Sequence, residues 1–345
     1  MSLAHADVGV EVLDLAYDYY GKRLATVSSD QMVRVYDQHG EKRAEWRAHF
    51  GSIWRVVWAH PQFGQVLATC SFDRKVMVWE EISSSVDAQD QRNGGWRNQA
   101  ELVEARDSVQ DVKFAPKQHG GLWLASCSSD RYIRVYEAPD MIDTASWIIT
   151  AEIDASRSRN AERSEVERTP QAIAWNENSL DGMMLAVAMS DGSILTFVAN
   201  DHRSWSCTNI LHHTSSSSPM AQPANADCVN DVAFSPDVGR SVTLLVSAHR
   251  DFKVRIWALD FVDSETASEV TQEDHVEGGK WRLLTEIAQE SQVWRVEWNP
   301  TGAVFAASTD DGSVHVFAPD GSGNWDQVTP SRVLHGKSEA DILKI

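Results

Sequence analysis

Residues 52–81 read SIWRVVWAHPQFGQVLATCSFDRKVMVWEE, and this stretch decides the fold. Apolar residues alternate up to Trp58, a short loop follows, and LATCS then supplies a run of small residues. Asp73 sits in a tight turn, and RKVMVW alternates again to Trp79. Period-two spacing puts apolar side chains on one face of a strand. The aspartate carboxylate can accept hydrogen bonds from turn amides and pin the hairpin. Small residues let the middle strand lie close to its neighbours, and aromatics fill the space between adjoining sheets.

The same unit occurs six times. Its opening strands VLDLAY, SIWRVVW, SVQDVKF, PQAIAW, CVNDVAF and QVWRVEW end at Tyr17, Trp58, Phe114, Trp175, Phe234 and Trp298. The turn aspartates are Asp30, Asp73, Asp130, Asp191, Asp251 and Asp311. Six residues beyond each stands another aromatic: Tyr36, Trp79, Tyr136, Phe197, Trp257 and Phe317. A fourth strand is marked by Trp96, Trp147, Trp205, Trp281 and Trp325, and in the first repeat by AEWRAH. A lone sheet of this kind cannot bury both faces, so neighbours must stack. Four strands per unit, repeated radially, predict an all-β, six-bladed propeller.

Successive aspartates are 43, 57, 61, 60 and 60 residues apart. A unit needs only about 40–45. The excess falls in polar loops at 83–95, 155–168, 213–226 and 260–279, which read as mobile. The expected blades are 10–48, 49–105, 106–154, 169–212, 227–289 and 290–335. Together they form a single domain over 10–335, with 1–9 and 336–345 as flexible termini.

Composition narrows the function. A formal net charge of −19 repels phosphate backbones and anionic lipid, which argues against nucleic acid as a direct partner. No apolar run approaches the length of a membrane span, so no membrane insertion is expected. Cys70, Cys127, Cys207 and Cys228 form no CxxC pair, and Cys70 and Cys127 fall at one place in two repeats. They read as small buried positions in a reduced, cytosolic or nuclear setting.

An enzyme needs a converging site, and the chain has no GxGxxG, P-loop, HExxH or GxSxG. One aspartate role repeated six times is architecture. His212-His213 has no further ligand at metal spacing and reads as a solvated pair. No catalytic, cofactor-binding or metal residue and no small-molecule substrate is expected. The loop 260–279 holds seven acidic residues and no Lys or Arg; it reads as solvated before it reads as a lure for a basic partner. The SSSSP tract at 215–219 reads as plain loop before it reads as a phosphorylation site.

The aspartate–aromatic pattern resembles the WD-repeat family, although the signature dipeptide varies as YD, WE, YE, FV, WA and FA. His49 matches the family's histidine, which bonds toward the turn aspartate. The resemblance thus makes His49 and Trp79, with Asp73, the tether of blade 2, the best-tethered blade. The arginine that marks ubiquitin-ligase receptors is missing from YDQH, WEEI and YEAP. WRVVWAHPQFG, SVQDVKFAPKQHGG with IRVYEAPDM, and VNDVAFSPDVGRS resemble the Sec-thirteen-homologue (Seh-type) nucleoporins over about residues 10–335. The first of these segments is shared with Sec-thirteen itself, so a vesicle-coat subunit of export from the endoplasmic reticulum is the alternative.

The Seh-type resemblance implies a non-enzymatic scaffold of the Y-shaped outer-ring complex at the nuclear pore and nuclear envelope. It also implies a second station at the vacuolar or lysosomal membrane surface, in a coat-like complex that regulates TOR signalling. The pore partner it implies is an α-solenoid nucleoporin that donates a blade, alongside other outer-ring subunits. The residues bear on that idea. The first repeat begins by about Val12, the last supplies its own fourth strand within Trp325–Leu334, and no strand is left to stitch the ring. The ring is therefore expected to be open between first and last blade. Open edges must be covered, and adding a partner's strands is a known way to do so; the alternative is a closed ring with blunted edges and surface contacts. The expected edges lie at Val12, Leu13, Leu15 and Tyr17, and at Trp325, Val328 and Val333.

Overall fold

The computed structural model describes residues 11–82, 92–140, 144–157, 168–177, 182–201, 204–212, 228–236, 242–260, 279–320 and 324–328. Val333, His213, the SSSSP tract, both expected flexible termini and most of the four long loops lie outside them. The chain divides into two compact units, Met1–Asp154 and Ala155–Leu343.

The first unit holds three sheets. Blade 1 comprises β1 (Val12–Tyr17), β2 (Arg23–Ser28), β3 (Met32–Asp37) and β4 (Lys42–Arg47). Blade 2 comprises β5 (Ile53–Trp58), β6 (Val66–Ser71), β7 (Val76–Glu81) and β8 (Trp96–Leu102). Blade 3 comprises β9 (Val109–Phe114), β10 (Leu122–Ser128), β11 (Tyr132–Ala138) and β12 (Ile148–Asp154).

Three more form the second. Blade 4 runs through β13 (Pro170–Trp175), β14 (Met184–Met189), β15 (Ile194–Ala199) and β16 (Trp205–Leu211). Blade 5 runs through β17 (Val229–Phe234), β18 (Thr243–His249), β19 (Lys253–Asp260) and β20 (Lys280–Ala288). Blade 6 runs through β21 (Val293–Trp298), β22 (Phe305–Thr309), β23 (Val314–Pro319) and β24 (Trp325–Gln327). Every sheet is a four-stranded antiparallel meander in chain order, so the fold is an all-β, six-bladed propeller.

Each blade has a small face and a bulky face. Ala25, Val27, Val33 and Val35 of blade 1 share a core with Ile53, Val56, Leu67 and Trp79 of blade 2. Ala68, Cys70 and Val76 of blade 2 meet Val109, Val112, Leu124 and Tyr136 of blade 3. In the second unit, Ala186, Ala188 and Ile194 meet Val232, Phe234, Leu245 and Trp257. Val246, Ala248 and Val254 meet Val296, Phe305 and Phe317. Alanine on one sheet leaves room for the aromatic or leucine of the next, which is how interdigitation reaches crystal-like density.

A bulge follows the first residue of every opening strand, and the residue beyond it is redirected. In the first unit those residues are Asp14, Arg55 and Asp111. Arg55 lies 3.9 Å from Asp14 and 3.2 Å from Asp111, with Arg55 and Asp111 fully buried, so one guanidinium links three sheets. Asp14 and Asp231 also reach the next sheet's backbone, accepting from the amides of Val56 and Val296.

The turn aspartates are held in two main ways. In blade 2, Asp73 receives Nδ1–H of His49 at 3.0 Å and the amides of Phe50 and Lys75. The other imidazole nitrogen lies 2.8 Å from the Thr69 hydroxyl, which accepts from Trp79 Nε1 at 3.2 Å. Neutral His49 with the proton on Nδ1 satisfies every member of that chain. In blades 1, 3 and 5 an arginine four residues on takes the place of histidine. Arg34, Arg134 and Arg255 grip Asp30, Asp130 and Asp251 at 2.6, 2.8 and 2.5 Å. They also reach Glu45, Glu152 and Glu286 on the fourth strand. Full ligation is therefore not special to blade 2, because an arginine fork reaches both carboxylates from one strand position. In blade 4, Arg168 reaches Asp191 at 2.8 Å, and Asp311 of blade 6 is held by Thr309 and the Ser313 amide.

The residue after each aspartate is left-handed. Glycine fills the position in blades 4 and 6, at Gly192 and Gly312. Gln31, Arg74, Arg131 and Phe252 fill it elsewhere, with φ between 67 and 77°. A side chain there costs about 1 kcal/mol.

Burial alone would raise the Asp73 carboxyl, but the hydrogen bonds from His49, Phe50 and Lys75 outweigh it and hold it below the usual range. A depressed folded value means that the group stabilises the fold fully above its unfolded value of about pH 4. That stabilisation is lost as pH falls through the folded value. The gap in melting temperature between wild type and Asp73→Asn therefore narrows below about pH 4, measured by thermal scans across pH. In blade 3, Arg134→Met leaves the Asp130 carboxylate with the Arg106 and Tyr132 amides and the Ser128 hydroxyl only, and costs about 1.5–3 kcal/mol, read from urea titration. Adding Asp130→Asn restores part of the loss.

Candidate protein-binding faces

Repetition supplies an internal control. A position that is buried by a neighbouring sheet in one blade should be buried in all, unless the neighbour is missing. Ile53 and Val56 of β5 point their side chains at blade 1. Their counterparts are Val109 and Val112, Val229 and Val232, and Val293 and Val296, all at most 4% exposed. In β1 the counterparts are Val12 and Leu15, which are 44% and 50% exposed. Tyr17 and Tyr36 continue this uncovered bulky face. Leu13, the bulged residue, is half-buried.

The converse holds in blade 6. Three residues after the turn aspartate, Val33, Val76, Ile133, Ile194 and Val254 are at most 1% exposed. Val314 is 66% exposed. Val316 beside it is half-buried, whereas Val35 and Val78 are buried. The small face of blade 6 thus lies bare. Burying one such valine or leucine is worth about 1.5–3 kcal/mol, so two bare faces are a substantial store of unspent association energy.

The fourth strand of blade 6 is the outer edge of its sheet, but its tryptophan ring is turned inward. Trp325 packs edge-on against Trp298 and tilted on Phe305, within the core that blades 5 and 6 share. Val328 extends the pairing of β24 by donating its amide to Val316 O at 2.7 Å. The exposed apolar residues are on β23 instead. Aligning the aspartate turns and reading three residues on marks Val314 in the sequence.

Other candidates resolve simply. Cys70, Cys127 and Cys228 are buried and unpaired, and Cys207 is half-buried. Burial pushes the Cys70 and Cys127 thiols far up and that of Cys228 to about 11, so these three are not thiolates at neutral pH. His212 is exposed, and among the described residues no cluster of His, Cys, Asp and Glu is gathered for a metal.

Six meanders, each closed by an aspartate turn, define a WD-repeat propeller. The family model described as WD domain, G-beta repeat matches residues 2–37, 40–80, 99–137, 218–258 and 281–317, leaving the fourth repeat unmatched. Nucleoporin SEH1 of Bos taurus is 39% identical over 331 residues, which span 90% of this chain and 82% of that protein. The Homo sapiens and Danio rerio proteins of that name are 38% and 36% identical, with the same coverage. The chain belongs to the SEH1 family of WD-repeat nucleoporins.

Substitutions should separate bare faces from covered ones. Val56→Ser costs about 2 kcal/mol or more by loss of apolar burial. Leu15→Ser and Val314→Ser change the stability of the isolated chain by about 0.5 kcal/mol or less, as read from denaturation midpoints.

Proposed function

We propose that the chain is a non-enzymatic scaffold subunit of the nuclear pore outer-ring complex, and that a partner's strands cover the bare faces of blades 1 and 6. The observation that carries this reading is the contrast of Val12, Leu15 and Val314 with their buried counterparts in the other blades. Apolar residues exposed together on one face mark protein contacts, and a β-sheet is their natural complement. The bulky face of blade 1 accepts a small-residue face, and the small face of blade 6 accepts a bulky one. A single donated sheet with one face of each kind satisfies both and makes a seventh blade.

An α-solenoid nucleoporin that carries such a sheet beside its helices is the partner in this reading. Other outer-ring subunits then attach through the solenoid, and the nuclear envelope is where the chain resides. A solenoid of the vacuolar or lysosomal coat-like complex that regulates TOR signalling uses the same two faces. The name shared by the relatives favours the pore over a Sec-thirteen-like vesicle coat.

The test is affinity capture of the tagged chain from its own cells, read by mass spectrometry. Wild type recovers a solenoid nucleoporin together with other outer-ring subunits. Leu15→Glu with Val314→Glu loses them while the purified chain keeps its melting temperature, because both side chains start exposed. Capture that is unchanged by the double substitution overturns the donated blade. Recovery of vesicle-coat subunits without nucleoporins overturns the pore assignment.

A further inference from the structure

We propose that the aspartate-turn end of the first unit is a second binding surface, specific for an acidic segment of a partner protein that carries apolar side chains. The proposal does not depend on the bare blade faces. Three observations carry it.

The first is retained strain. Every turn needs a left-handed residue after its aspartate, and glycine at Gly192 and Gly312 shows that the turn is complete without a side chain. Arg74 and Arg131 nevertheless occupy the position in blades 2 and 3 and are exposed. Side chains kept against a backbone preference are those with work outside the fold.

The second is charge. The chain has 50 acidic and 31 basic residues. Arginines 23, 34, 43, 55, 134, 168, 255 and 282 all meet carboxylates. Arg47, Arg74, Arg106 and Arg131 are exposed at the turn end and form no ion pair among the described residues. The turn carboxylates beside them are already engaged: Asp73 by His49 and Asp130 by Arg134. Of the other acids at this end, Glu104 accepts from the Tyr136 hydroxyl and Asp107 caps its own loop at the Ser108 amide, while Glu11 lies beside the blade 1 turn and Asp154 pairs with Tyr132.

The third is exposed aromatic surface among those arginines. Phe50 is 75% exposed and Phe72 62%. Both are fixed by backbone bonds: Phe50 N–H to Asp73 at 3.0 Å, and Phe72 N–H to Ser52 O at 3.0 Å. The Arg47 guanidinium lies 5.1 Å from the Phe50 ring centroid. Trp54 Nε1, at the start of β5, donates to Ser108 at 3.1 Å, which ties this strand to the loop that carries Arg106. The turn end of the three blades therefore carries two exposed rings and four exposed arginines.

Arginine and phenylalanine also suit single-stranded nucleic acid. The net charge of −19 decides against it, because a long polyanion extends beyond the patch into a repulsive field, whereas a short acidic segment does not. Acidic side chains pair with the arginines, and intervening leucine or phenylalanine covers Phe50 and Phe72.

The experiment uses the full chain and fluorescein-labelled peptides that alternate Glu or Asp with Leu or Phe, followed by anisotropy. One control peptide carries Lys for the acids, and another carries Ser for the apolar residues. Wild type binds the acidic, apolar peptide in preference to both, and salt weakens that binding. Arg74→Gly with Arg131→Gly weakens it about tenfold or more, with a melting temperature at or above wild type. Arg74→Glu with Arg131→Glu reverses the preference toward the lysine peptide. The surface is overturned if the acidic peptide binds no tighter than the lysine one, if the glycine variant keeps its affinity, or if oligothymidylate binds in preference.

Discussion

A four-stranded sheet with one small and one bulky face cannot bury either by itself. That constraint shapes the whole molecule. Ala25 is completely buried because Leu67 and Trp79 stand over it, and Cys70 is buried because Val112 and Leu124 do the same. The second strands of blades 2 to 5 are buried from end to end, so each draws its stability from the sheets on both sides rather than from its own. Where Val12, Leu15 and Val314 lack such a cover, the same apolar chemistry stands exposed.

The turn ends solve a different problem, that of carboxylates taken out of water. Blade 2 uses an imidazole relayed through Thr69 to Trp79, while blades 1, 3 and 5 use a guanidinium forked between two acids. Both arrangements satisfy the turn aspartate without help from the side chain of the left-handed residue that follows it, so the turn is the same whether that residue is glycine, glutamine, arginine or phenylalanine.

Much of this was legible in the residues. Six aspartates, each with an aromatic six positions on, recur because each repeat faces the same geometric demand, and repetition survives drift in the signature dipeptide. Fourth strands were legible from Trp96 and Trp281, which enter the cores. The arginine forks were less so, although MVRVYD, YIRVYE and KVRIWA place Arg34, Arg134 and Arg255 identically, because an arginine on an alternating strand reads first as a solvated residue. The bulges left no mark at all, since a bulge is a property of pairing and not of composition. Val314 escaped notice for a related reason: a valine in a good strand looks buried, and only its 66% exposure sets it apart from its counterparts. At Trp325 the strand is the sheet's edge, while its ring packs inward on Trp298 and Phe305, which the sequence pattern did not separate.

The bulge behind each opening strand has one more consequence. It turns Asp14, Arg55 and Asp111 toward the interior, so that successive sheets of the first unit carry negative, positive and negative groups at the same height. Sheets that look alike in outline are thereby given an order. Exchanging blade 2 with blade 3 would set two carboxylates side by side and leave a guanidinium with one partner instead of two. The repeats of this unit are thus addressed as well as stacked: each has a place in line, written in a single charge, and a duplicated or permuted copy would not fit there unnoticed.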